Sequence, residues 1–389
     1  MALLVTSSAV VLLVFAGGSL AGRVGAADGA YRQVSLFSEI YSYVVDNYVD
    51  EVDQEKLLNG AYEGLLGGLD PHGAYLTPAE VDAWKKGVGA NASADPGVAV
   101  LKPSYGALQV VWVAPGSPAA DAGIVQGDHI RRIDGRPLRD LSLEQALRLL
   151  RGAPGTSVQL SVLRSREAFK RDDVTVARSP RKDPAYAFDV DKGVAVLTVH
   201  DLTRVQAAGL EKELEQARSR GVEKLLVDLR NVVEGGPREA MPIVEIFASG
   251  PLLRLRDRSG KTIETLSGSK EAKAWPGPIA VLVNGATAGG AEALARLLQL
   301  RRNATVYGEA TFGSGAEPKL FELPDHSGFL VSSFVWEAPT GEGWNGDGVK
   351  PDHVEVAEGR AEDADADQLR RVLEDFGKEQ PVQAAQKAA

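Results

Sequence analysis

The sequence predicts a multidomain α+β protein, and three patterns in it carry that expectation. Apolar residues recur at helical spacing between Tyr31 and Trp84, short strands separated by turn signals fill residues 95–166, and apolar strands alternate with a helix from residue 185 onward. The last pattern, strand then helix then strand, implies a βαβ unit and therefore a parallel sheet.

The elements follow in chain order. Residues 2–21, ALLVTSSAVVLLVFAGGSLA, form an apolar run that reads as a signal peptide or an uncleaved membrane anchor. Residues 1–27 are therefore expected to export the protein to the periplasmic or extracytoplasmic side of a membrane. In the helical region 28–94, Val34, Phe37, Ile40, Tyr41, Val44 and Val45 form one stripe, and Leu57, Leu58, Tyr62, Leu65 and Leu66 form another. Between two helices, LDPHGAYLTPAEV (Leu69 to Val81) makes a Pro/Gly turn. There Asp70 caps the turn, His72 bonds backbone, and Thr77-Pro78 opens the next helix with proline at its first position.

KKGVGANASA, residues 85–94, is a polar linker. The module 95–166 alternates apolar residues at Leu108, Val110 and Trp112, turns at APGSPAADAG, and continues through GDHIRRIDGRPL to a helix from Ser142 to Leu150 and the strand SVQLSVLR. In region 167–360 the strand GVAVLTVHDL, a charged helix from Gln206 to Arg218 and the strand KLLVDLRN make the βαβ unit. A further apolar strand, Ile279 to Gly285, delivers Ala286 to Ala291 to the start of a helix running to Leu300. Backbone N–H groups at such an entrance can face an anion or oxyanion. KLFEL, PDHSG and FLVSSFVWEA form a closing hairpin, and residues 361–389 hold an acidic helix and a disordered tail.

Composition narrows the function classes. A formal net charge of -10 argues against nucleic-acid partners. The chain has no cysteine, which excludes disulfides, thiolate metal sites and a cysteine nucleophile. Its five histidines, His72, His129, His200, His326 and His353, are scattered with no i, i+4 pair, so neither a metal nor another cofactor is expected.

The segment NGATAGGAEALARLLQLRRNATVYGEATFGSGAEP, Asn284 to Pro318, is the most telling. It resembles the catalytic segment of the carboxyl-terminal processing, or tail-specific, serine proteases, in which a Ser nucleophile lies in S-A-S-A-S-E and a Lys base in T-F-G-K-G. Registering on Glu292 and on Thr311-Phe312-Gly313 puts Gly289 at the nucleophile, Ser314 at the base and Pro318 at the Gln that orients the base. The LDPHGAYLTP run and Gly348-Val349-Lys350-Pro351-Asp352 are similar to further marks of the family. Residues 95–166 resemble its permuted PDZ domain, through G-S-P-A-x-x-A-G and G-D-x-I-x-x-I-D-G. The resemblance spans about residues 31–376. It implies a PDZ domain inserted before an α/β core of ClpP/crotonase-like ββα type.

The resemblance also implies site residues. A loop before the PDZ edge strand, here Pro96-Gly97-Val98-Ala99-Val100, would hold a peptide carboxylate, with Leu143 and Ala146 lining a groove whose alternative role is plain core. Gly290, at the helix entrance, and the loop glycines Gly235 and Gly236 would supply oxyanion donors. That loop carries one inserted residue, and Glu234 in it would oppose negative charge.

The chemistry then turns on what is missing. A hydroxyl needs a base to become a nucleophile, and in the Ser-Lys variant the base is a buried amine. Gly289 has no atom to attack with, Ser314 cannot take a proton at neutral pH, and Pro318 has no polar side chain. The expectation is a pseudoprotease that binds protein C-termini or unstructured polypeptide, or docks on an active protease or envelope protein, as an adaptor or regulator. Two alternatives stand beside it. One is an active endopeptidase using Ser314 or Thr287 with Lys319; the other is an oligomeric scaffold that binds no peptide.

Overall fold

The computed structural model describes residues 31–87, 93–104, 106–268, 275–357 and 361–378. The expected export segment 1–27, the middle of the 85–94 linker and the end of the acidic tail lie outside them. The chain divides into two units, residues 1–61 and 62–389. In the first, helix α1 (31–47) precedes helix α2 (Gln54–Gly67), which runs on into the second unit; the Tyr41 hydroxyl donates to Gln54. Tyr31, Val34, Phe37 and Ile40 are exposed on α1. Among the described residues no helix is long and apolar enough to cross a membrane.

The second unit opens with strand β1 (Ala74–Leu76) and helix α3 (Pro78–Lys85). Thr77 caps α3 as its sequence predicts: its hydroxyl accepts from Glu80 N–H while Glu80 reaches back to Thr77 N–H. Asp70 accepts from the N–H groups of His72 and Gly73, which fixes the turn.

The β-rich module contains β2 (Val98–Ser104), β3 (Ala107–Val113), the short helix α4 (Pro118–Asp121), β4 (His129–Ile133), β5 (Arg136–Pro137), α5 (Leu143–Leu150), β6 (Ser157–Arg164) and β7 (Lys170–Ala177). Its sheet runs β2-β3-β4-β6-β7, with β2 at one edge. Because β7 pairs with β6 along its whole length and Asp95 bridges Ser179, the module extends past the 95–166 window.

The core holds β8 (Tyr186–Asp191), β9 (Val194–Val199), α6 (Ala207–Ser219), β10 (Lys224–Asp228), α7 (Pro237–Phe247), β11 (Gly250–Asp257), β12 (Thr262–Gly268), β13 (Ile279–Val283), α8 (Gly290–Arg302), β14 (Thr305–Gly308), β15 (Ala316–Glu322), β16 (Gly328–Glu337), β17 (His353–Val354) and α9 (Ala361–Lys378). The expected parallel sheet is present: β9, β10, β13, β14 and β17 pair in parallel, and β8 adds an antiparallel edge. Helices α7 and α8 pack in the largest apolar cluster with one face of the sheet, through Ile243, Val244, Phe247, Leu294 and Leu298. Helix α9 covers other residues, with Val372, Leu373 and Phe376 beside Leu226 and Leu282. A sheet buried on both faces explains why β10 and β13 read as continuous apolar runs.

Candidate functional site

The site is the turn from β13 into α8. All five residues of β13 are buried, and the turn that follows is held by side chains. Asn284 accepts from the N–H groups of Asn231 and Ala286 and donates to the Asn231 side chain at 2.9 Å. Thr287 is fully buried, donates to Leu229 O at 2.8 Å and accepts from Asn284 N–H. Its hydroxyl is a structural tie between two loops.

Gly289 caps α8 with φ +57 and ψ −115. This is the sharp strand-to-helix turn that presents a nucleophile in other hydrolases, and a side chain there is strained. The space for a side chain is also taken. A Cβ at Gly289 would lie 2.8 Å from Gly235 O, and one at Gly290 would lie 2.5 Å from Gly236 O. The loop with the extra residue therefore sits against the helix entrance.

Two of the three expected oxyanion donors, Gly290 and Gly236, have partners inside the protein. Gly290 N–H donates to Gly235 O at 3.0 Å, and Gly236 N–H donates to Glu239 at 2.9 Å. A backbone carbonyl thus occupies the helix-entrance position where the dipole favours an anion. Glu234, which sequence reasoning set against an oxyanion, instead meets Arg151 just past α5 at 2.6 Å. Burial pushes its carboxyl above the ordinary range, while the Arg151 guanidinium opposes that shift.

On the base side, the two stretches used for registration meet in space. Glu292 is fully buried on α8 and accepts from Gly289 N–H at 3.0 Å, Gly313 N–H at 2.6 Å, Ser314 N–H at 2.7 Å and the Thr311 hydroxyl. Burial raises its pKa to about 7, against the pull of those four donors. Thr311 in turn accepts from Val349 N–H at 2.7 Å. Ser314 therefore sits beside the helix entrance, with its backbone held by Glu292.

No amine joins it. The Lys319 ammonium lies 5.1 Å from the Phe321 ring centre on the exposed side of β15, so Lys319 is directed to a neighbour on its own strand. Pro318 follows a bulge in β15 and pairs in register with Ser332. Next to it, Glu317 binds Arg238 at 2.8 Å and Trp336 Nε1 at 3.0 Å; Arg238 also holds Glu264 at 2.5 Å and lies over the Trp336 ring. This ion cluster gave no signal in the sequence, since its members come from α7, β12, β15 and β16.

The β-rich module covers the site. Ala99, Leu101 and Val111 form an apolar cluster with Ala288, and Val233, Ala286 and Phe312 pack against it. A cavity of about 490 Å³ remains beside this contact, lined by Leu101, Gln109, Gln126, Asn231, Asn284 and Phe312. Ala99 thus faces the core instead of a peptide groove. On the other face of β2, Val98 and Val100 join the module's own core with Ala146, which is fully buried, and Leu143 packs against that core. Gly97 adopts φ +87, and its N–H donates to Asp95 at 2.6 Å. His72 Nδ1 lies 3.8 Å from the Glu144 carboxylate. Among the described residues no group of three His, Asp or Glu is arranged to hold a metal.

Comparison with known proteins fits this arrangement. The profile of peptidase family S41 matches residues 193–355, and that of a PDZ domain matches residues 109–164. A carboxy-terminal-processing protease of Bartonella bacilliformis is 27% identical over 333 residues, covering 83% of this chain and 75% of that protein. The carboxy-terminal processing protease CtpA of Bacillus subtilis is 26% identical over 355 residues, covering 89% of this chain and 74% of its own length. The solved structure of a photosystem II D1 C-terminal processing protease shares the fold, with a TM-score of 0.60 over 87% of this chain and 96% of that one, at 24% identity. With the strand-to-helix turn, the Glu292 tie and the edge-stranded module in place, residues 193–355 match peptidase family S41 and residues 109–164 match a PDZ domain.

Proposed function

We propose that this chain is a catalytically inactive homologue of the carboxy-terminal processing proteases that holds polypeptide or a partner protein in the cell envelope, as an adaptor or regulator. One observation carries the reading: Gly289 offers no hydroxyl, and Gly235 O fills the space where a side chain would stand. The displaced-pair alternative loses its base, because Lys319 lies over Phe321, and Thr287 is bonded to Leu229 O. Losing one member of a nucleophile–base unit typically costs about 10⁴–10⁶ in rate. Envelope location rests on the apolar run at residues 2–21. Polypeptide capture is supported by the match of residues 109–164 to a PDZ domain, a module that binds peptides.

The test is direct. The full chain, incubated with β-casein and sampled by mass spectrometry, is expected to give no cleavage above a buffer control, and a serine-reactive fluorophosphonate is expected to leave it unlabelled. Cleavage that disappears in Ser314→Ala would refute inactivity.

A further inference from the structure

One cavity lies far from Gly289. It measures about 710 Å³ and is lined by Arg218, Arg301 and Arg302 together with Phe247, Trp275 and Pro276, with no acidic side chain among its described lining residues. Helix α8 starts at the Gly289 turn and ends at this cavity with Arg302, so its length separates the two places by roughly 18 Å.

Backbone carbonyls hold two of the arginines in place. Arg302 donates to Phe247 O at 3.1 Å and to Trp275 O at 2.5 Å, and Arg301 donates to Ser249 O at 2.9 Å. A guanidinium carries five N–H donors, so both keep further donors to offer. The carbonyls also bring no full negative charge. Elsewhere in the core Arg204, Arg230 and Arg254 each meet a carboxylate at 2.6–2.7 Å, whereas burial alone acts on Arg302 and lowers its pKa with no carboxylate opposing. The C-terminal ends of α7 and α8 contribute about −0.5 charge each, which is half the charge that Arg301 and Arg302 bring. The buried Trp275 indole N–H has no acceptor among the described residues. This corner therefore holds donors and positive charge in excess.

We propose that the cavity binds a phosphorylated small molecule, its phosphate gripped by Arg301 and Arg302 and its organic part lying against Trp275 and Pro276. Guanidinium forks match phosphate oxygens bidentately, and a phosphate ester carrying about −1.5 to −2 charge balances two cations where a carboxylate balances one. The volume lies within the range of small-molecule sites. This site is independent of the peptide holding proposed above.

Isothermal titration of the full chain at constant ionic strength, with phenyl phosphate and with benzoate as its carboxylate counterpart, tests the assignment. Phenyl phosphate is expected to bind saturably at one site per chain, and benzoate at least about tenfold more weakly, the ratio set by one lost charged hydrogen bond. Arg301→Gln, an exposed position whose variant is checked for an unchanged urea midpoint, should weaken phenyl phosphate by about tenfold. Arg370→Gln, which removes an exposed arginine of α9, should leave the affinity unchanged. No saturable binding of phenyl phosphate, benzoate bound as tightly, or equal weakening in the two variants would each overturn the proposal.

Discussion

Gly289→Ser places a hydroxyl back at the nucleophile position and so measures how firmly the site is closed. Two costs follow from the geometry. The backbone at φ +57, ψ −115 is a region that residues with a Cβ adopt at about 1–3 kcal/mol. The new Cβ also meets Gly235 O at 2.8 Å, and that oxygen belongs to backbone hydrogen-bonded to Gly290. Forcing an atom into such a filled space costs about a further 1–3 kcal/mol, for a total of roughly 2–6 kcal/mol. Urea unfolding followed by the fluorescence of buried Trp336 and Trp344 would read the loss as a lower midpoint. The same strain means that Gly289→Ser with Ser314→Lys and Pro318→Gln is expected to stay inactive on casein, since the loop must retreat first. A stability change below about 0.5 kcal/mol, the range of neutral surface changes, would show that the loop does not rest on Gly289.

Two other expectations concern buried charge. Arg151→Ala removes the cation bonded to Glu234, and a half-hidden carboxylate left alone costs about 2–4 kcal/mol. The accompanying sign is faster amide exchange in residues 231–236 and in β2, which Glu234→Gln in the same background should largely reverse. Glu292, with its pKa raised from 4.5 to about 7, binds its proton more tightly in the folded state. Its contribution to stability is therefore fully present below pH 4.5 and is lost as pH rises toward 7, by about 3 kcal/mol. Glu292→Gln cannot ionise, so the stability it loses relative to wild type should be smaller at pH 8 than at pH 4.5; a larger loss at pH 8 would mean that the four donors keep Glu292 charged.

Much of the fold was legible because strong local signals agreed. The apolar runs of β10 and β13, the Thr77-Pro78 helix start and the Ser142 cap all form where their sequences predict. The absences at Gly289, Ser314 and Pro318 could be read by registration because Glu292 and Thr311 to Gly313 are physically joined. What sequence could not supply was long-range. That Gly235 would point a carbonyl at Gly290, instead of an N–H, depends on how one inserted residue turns the loop. Equally hidden were the Arg151 partner of Glu234, 83 positions away, and the cluster around Arg238. On β2 Ala99 alternates with Val98 and Val100, so its side chain faces the core while theirs face the module's own interior.

The Arg151–Glu234 contact joins a residue just after a PDZ helix to the very loop that fills the old nucleophile position. Swinging the PDZ domain away would leave a buried carboxylate without its arginine, so the two halves are expected to tumble as one body. A polypeptide held by the PDZ domain would then be carried at a fixed orientation relative to the core, which suits a carrier better than a blade.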